Sequence, residues 1–235
     1  MKHLKLTLLS LLTLAFSGLQ AQSLDEIVTK HIDAIGGIEA WRKITSIRQE
    51  GTLQAQGAEV TVVRTILNGK GTRQDITVAG MTGYNILTPV AGWNYMPFQG
   101  QKEAEPMTDE DVKEGQSDLD VQDELVEYKQ KGTTVELVGK DDVEGTECFK
   151  LLVTFKSGKT ESIFIDPKSY YIIRQISKQK ANGQEMDITY NFSNYQKLPE
   201  GIVVALSISL PFGELKITKT EVNKPVDETI FKPAN

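Results

Sequence analysis

Apolar residues recur at every third or fourth position before Ser46 and at close to every second position after it. In the first part, Leu24, Ile27, Val28, His31, Ile32 and Ile35 make one stripe of a helix. Ser23 and Glu26 stand at the S-x-x-E spacing of a capping box, in which hydroxyl and carboxylate each satisfy a free backbone N–H. Gly36 suits the left-handed residue that closes a helix. Ile38, Trp41 and Ile44 continue an apolar face on a second, shorter helix. The opening therefore reads as a broken helix that lies on something flat and apolar.

Period two then predicts strands at about 46–54, 58–67, 72–79, 82–88 and 93–98. Further strands follow at about 134–140, 146–156, 159–166, 170–180, 185–196, 202–210 and 214–222. Turn signals such as Gln56-Gly57, Asn68-Gly69, Ser157-Gly158 and Asn182-Gly183 make the connections short enough for hairpins. The intervening stretch 105–132 reads as one or two short helices on the sheet. Thr108 and Asp111 form another cap there, and Leu119, Gln122 and Val126 lie near one face. Its acids read as a solvated helix face in preference to a calcium loop, because no D-x-D-x-D-G pattern occurs. A long antiparallel meander with one apolar face and few helices must curl. It either closes on itself or half-closes around the helices and leaves a cavity.

The leader changes the picture of where this sheet resides. Lys2 and Lys5 precede an apolar run from Leu6 to Leu14, followed by small and polar residues up to Ala21, the pattern of a secretory signal peptide. The run is shorter than the roughly 20 residues of a membrane helix, and no later apolar run is long enough to cross a bilayer. With cleavage after Ala21, residues 22–235 read as one soluble, periplasmic domain, since no repeat or low-complexity linker divides them. No cysteine follows the cleavage site, so there is no lipid-attachment signal. Formal net charge is −6 for the full sequence, and loss of Lys2 and Lys5 leaves −8. That balance, with basic residues scattered, argues against nucleic acid and against docking on anionic membranes.

Candidate chemistry is sparse. After the leader His31 is the one histidine, and its place in the helix stripe favours packing over catalysis. Cys148 stands alone in "ECFKLLVTF" and reads as a buried strand thiol, with no disulfide. No H-E-x-x-H, C-x-x-C, G-x-S-x-G or phosphate-loop pattern is present. The sequence thus calls for no metal and no cofactor, and the expectation is a protein without catalysis. An enzyme would require a pair of buried carboxylates facing a polar cleft. The densest aromatic and methionine cluster is "GYNILTPVAGWNYMPFQG". It either fills one end of the sheet or lines the mouth of an apolar pocket.

Three stretches, "IVTKHIDAIGGIEAWRKITSIRQEGTL", "TPVAGWNYMPFQGQKEAEPMTDEDV" and "VNKPVDETIFKPAN", resemble exported proteins of Bacteroidetes and similar bacteria grouped with the outer-membrane lipoprotein-sorting (LolA-like) carriers. The resemblance covers nearly the whole mature chain. It implies a mainly β (α+β) fold, an unclosed antiparallel β-barrel of about eleven to twelve strands with N-terminal and mid-chain helices against the concave face. It also implies carriage of a lipid or of lipoprotein acyl chains in an apolar cavity, with the N-terminal helices as a lid. Trp41, Trp93, Tyr95, Met96, Ile188, Tyr190, Leu206 and Ile208 are then the candidate lining residues. In the family a sheet arginine meets the lid, and Arg48, Arg64 and Arg73 are the candidates here. An envelope release or acceptor protein is a possible partner, and a monomer is expected. A second reading keeps the half-barrel as a protein-binding or sensor module of the envelope. The acidic balance and the long 99–133 interruption depart from the well-studied carrier.

Overall fold

A computed structural model describes residues 22–55, 57–181 and 184–233. The leader and the Asn182-Gly183 turn fall outside the described residues. The first helix, α1, spans Leu24–Ala34, and α2 spans Ile38–Trp41. Five strands follow as a meander: β1 Ser46–Ala55, β2 Ala58–Leu67, β3 Gly71–Val78, β4 Met81–Leu87 and β5 Gly92–Tyr95. The short strand β6, Glu105–Pro106, pairs with β5 and precedes helix α3, Asp109–Glu114. Two residues carry no period, which is why β6 is not legible in the sequence.

The second half holds β7 Thr134–Val143, β8 Thr146–Thr154, β9 Thr160–Ile165, β10 Ile172–Ala181 and β11 Gln184–Lys197. Strands β12 Val203–Leu210 and β13 Gly213–Val222 complete it. All thirteen strands form one antiparallel sheet in the order β6-β5-β4-β3-β2-β1-β13-β12-β11-β10-β9-β8-β7. The last strand pairs with the first, so the two meanders join in the middle and the outer edges, β6 and β7, do not meet. Of the two outcomes that the strand pattern leaves open, this is the unclosed half-barrel that the resemblance implies.

The helices lie on one face. Ile27 and Val28 of α1 bury against Phe149, Leu151, Ile163 and Ile172 of the second half. Ile35, Trp41 and Ile44 bury against Ile47, Ile66, Ile202 and Val222 at the centre of the sheet. Helix α3 packs over Leu87 through Val112. Its cap is the reciprocal one expected, with Asp111 N–H donating to Thr108 Oγ1 (3.1 Å) and Thr108 N–H to Asp111 Oδ2 (3.4 Å). At α1 the box is half made: Glu26 N–H donates to Ser23 Oγ (3.2 Å), while the Glu26 carboxylate is drawn away to Lys30 and Gln22.

The Gly36–Gly37 pair joins the helices to the sheet. Gly36 has φ +112°, and a Cβ there would stand 2.3 Å from the Gly201 carbonyl oxygen. Val203 N–H donates to Ile35 O (2.8 Å), which also accepts from Trp41 Nε1 (3.1 Å). The bend is therefore a backbone-to-backbone seat on the β11–β12 turn, a contact only glycine permits.

Candidate functional site

Between the helix-bearing face of the sheet and its helical cover lies a cavity of about 570 Å³, within the range of about 300–1,000 Å³ typical of small-molecule sites. Its apolar wall is Ile47 and Ile66 at the centre of the sheet with Trp41 of α2 against them, and Phe192, Val204 and Ile208 beyond. Its cover is the stretch from Gln116 to Glu124 together with His31 and Ile35 of α1. Polar side chains share the floor, namely Gln49, Arg64, Glu161 and Gln175. Register explains how they get there: Val60, Val62, Arg64 and Ile66 of β2 face Leu53, Gly51, Gln49 and Ile47 of β1, so an arginine and a glutamine interrupt two inward apolar series at opposed positions.

His31 is 1 % exposed and ties the cover to the sheet. Its Nδ1 lies 2.7 Å from the Tyr170 carbonyl and its Nε2 3.1 Å from Asp123 Oδ1. A carbonyl only accepts, so Nδ1 carries a proton; with Asp123 ionised, Nε2 carries one as well. Burial disfavours the imidazolium, but the Asp123 charge and hydrogen bond, the Tyr170 carbonyl and Glu124 outweigh it and raise the His31 pKa. Burial likewise works against the Asp123 carboxylate, and His31, the Leu125 N–H and Lys131 outweigh it and hold its pKa low. Glu124 differs: burial, then the charges of Asp123 and Glu161, push its carboxyl up to about 8.

Glu161 is buried among donors, accepting from Gln175 Nε2 (2.5 Å), Ser177 Oγ (3.2 Å) and Lys159 Nζ (2.8 Å). Asn194 has φ +53°, and both Phe192 and Tyr195 line the cavity although three positions apart. The left-handed residue between them thus inverts the alternation of β11. Tyr195 stacks on Tyr171 at 4.2 Å and donates to the Ile172 carbonyl. Among the described residues no three His, Cys, Asp or Glu side chains gather as metal ligands. Cys148 is buried away from the cavity, its thiol pushed up to about 11 by burial and by Asp166 and Asp142.

Of the candidate lining residues, Trp41 and Ile208 stand in the cavity wall. Trp93 and Tyr95 are cross-strand partners of Ile86 and Tyr84, and with them and Phe231 they form a cluster on the opposite face. Met96 is beside Gly83, and Ile188, Tyr190 and Leu206 lie on β11 and β12 outside the wall. Among the arginines, Arg48 pairs with Glu50 and Glu221 (3.3 Å) on the outer face. Arg73 pairs with Asp75 (2.7 Å) and donates to Ile230 O (2.9 Å). Arg64 is the one in the cavity.

No family model matches the sequence, and no curated protein matches it. Solved structures do match in shape. A LolA superfamily protein from Nitrosomonas europaea superposes with TM-score 0.53 at 10 % identity, over 87 % of this chain and 96 % of that one. The fold is LolA-like. A candidate outer membrane lipoprotein-sorting protein domain from Vibrio parahaemolyticus gives TM-score 0.52 at 16 % identity, over 88 % and 94 % of the two chains. A DUF1329 family protein from Desulfovibrio piger gives 0.51 at 14 % identity, over 87 % and 97 %. No helix among the described residues is long and apolar enough to cross a membrane.

Proposed function

We propose that the protein is an exported, periplasmic carrier or binding protein for a lipid or an acylated, lipoprotein-type ligand, acting by binding and without catalysis. The leader pattern supports export. The observation that carries the reading is the open cavity of about 570 Å³ with an apolar wall of Trp41, Ile47, Ile66, Phe192, Val204 and Ile208 in a LolA-like fold. Each methylene buried there contributes about 0.8 kcal/mol, so one acyl chain supplies enough gross energy for capture. The polar floor limits how much of the ligand is apolar and leaves room for release. Native mass spectrometry of the protein purified gently from its own envelope, with lipid identification, tests this. An acyl lipid or lipoprotein at near-equal stoichiometry is expected. A clean apo mass, with no uptake of a fluorescent fatty acid, would sink the carrier reading and favour a protein-binding module.

A further inference from the structure

Five polar side chains cross the helix-bearing face in one row. Gln49 is opposite Arg64, Arg64 opposite Gln74, Gln74 opposite Asn85, and Asn85 opposite Asn94. Directly opposed residues share a face, so the row runs from the cavity outward across β1 to β5. None of the five side chains makes a hydrogen bond or ion pair with another described residue. Arg64 is the exception among the chain's five arginines. Arg42, Arg48, Arg73 and Arg174 each hold a carboxylate, and the half-buried Arg64 holds none among the described residues.

The acids of the cavity do not compensate it. Asp120 pairs with Lys131 (2.5 Å), Asp123 with His31, and Glu161 with Lys159, which also lies 4.0 Å from Asp118. Glu124, with its carboxyl pushed up to about 8, is largely neutral at pH 7. The uncompensated charge in the wall is thus the Arg64 guanidinium, with exposed Lys156 at the rim. Gln49 is its cross-strand neighbour, and the Ser117 hydroxyl of the cover, buried without a hydrogen-bond partner among the described residues, lines the same cavity. A planar guanidinium in a partly desolvated site takes carboxylate or phosphate through paired N–H···O bonds.

We propose that Arg64, with Gln49 beside it, is a headgroup subsite that selects amphiphiles bearing a carboxylate or phosphate group, their chain lying along Ile47, Ile66 and Ile208. The inference rests on the carrier reading and adds a ligand class to it. Gln74, Asn85 and Asn94 extend the row as neutral donors and acceptors for the polar remainder of a larger headgroup.

Binding of oleate, 1-oleoyl lysophosphatidate and uncharged oleyl alcohol, each below its aggregation concentration, tests it by fluorescence competition. Both anions are expected to bind wild type at least about tenfold tighter than the alcohol, the scale of one charge-assisted pair. The tighter anion identifies the headgroup. In Arg64→Gln the ratio of anion to alcohol affinity falls to about one, while in Arg48→Gln, altered on the opposite face, it persists. Equal affinities in wild type, or an undiminished ratio in Arg64→Gln, would overturn the subsite and leave the carrier standing. Displacement of oleate by inorganic phosphate alone would overturn it in favour of a free-anion site. Failure of all three amphiphiles to bind would overturn the carrier reading, and the subsite with it.

Discussion

His31, Asp123 and Glu124 show how three neighbouring ionisable groups acquire different protonation states from the balance of burial against nearby charges and hydrogen bonds. Glu124 binds its proton more tightly folded than unfolded, its carboxyl raised from 4.5 to about 8. Its contribution to stability is therefore full below about 4.5 and lost as pH rises to about 8. His31, also raised, contributes below the ordinary histidine value and loses that contribution as pH climbs through its folded one. Asp123 is lowered, so its contribution is present above the ordinary aspartate value and lost only in stronger acid. From pH 4.5 to 8 the sum declines, Glu124 contributing no more than about 1.4 kcal/mol per pH unit and His31 adding to the slope above the ordinary histidine value. Urea denaturation across that range should show wild type losing stability with rising pH and Glu124→Gln giving a flatter profile. Parallel profiles would place the titrating proton elsewhere.

At the scale of elements, the glycine pair after α1 separates two costs. At Gly37, φ is +84° and a Cβ would meet nothing, so Gly37→Ala should cost about 1–2 kcal/mol, the strain of a left-handed alanine. At Gly36 the same strain is joined by a clash 2.3 Å from the Gly201 backbone oxygen, and Gly36→Ala should cost distinctly more in urea melts. Equal losses would mean that α1 does not seat on the β11–β12 turn. Twelve of the strands were legible from near-alternate apolar positions bounded by turn signals. The faces of β4 and β5 were not, since Phe231 and its neighbours cover the outer side and leave apolar residues on both. That is why Trp93 and Tyr95 suggest a pocket and instead fill an outer cluster. Arg64 was legible only as one of three arginines on early strands, with no signal that set it apart from Arg48 and Arg73. The cover from Gln116 to Glu124 was legible as part of a mid-chain stretch lying on the sheet, but not its tie to α1, because contacts such as Asp123 with His31 join residues 92 positions apart.

For the whole molecule, the two edges of the sheet stay apart and the helices and cover hold a ready-made space against the face of its central strands, so ligand should bind without refolding the sheet. Helix α1 is fixed by its burial in the second half and by the backbone seat after Ile35. The Gln116–Glu124 cover has less regular structure, its last residues lying beyond the 3₁₀ turn Gly115–Leu119. Opening for entry is therefore cheapest there, in keeping with the low local stability of segments poor in backbone bonds. Saturation at a hundred times Kd stabilises the folded state by about 2.7 kcal/mol, which for a chain of this size raises Tm by roughly 5–10 °C. Hydrogen exchange on the same sample should show new protection in 116–124, with α1 protected alike with and without ligand. Protection gained instead across α1, with 116–124 unchanged, would make the N-terminal helix the moving part and the glycine seat a contact that breaks on every cycle.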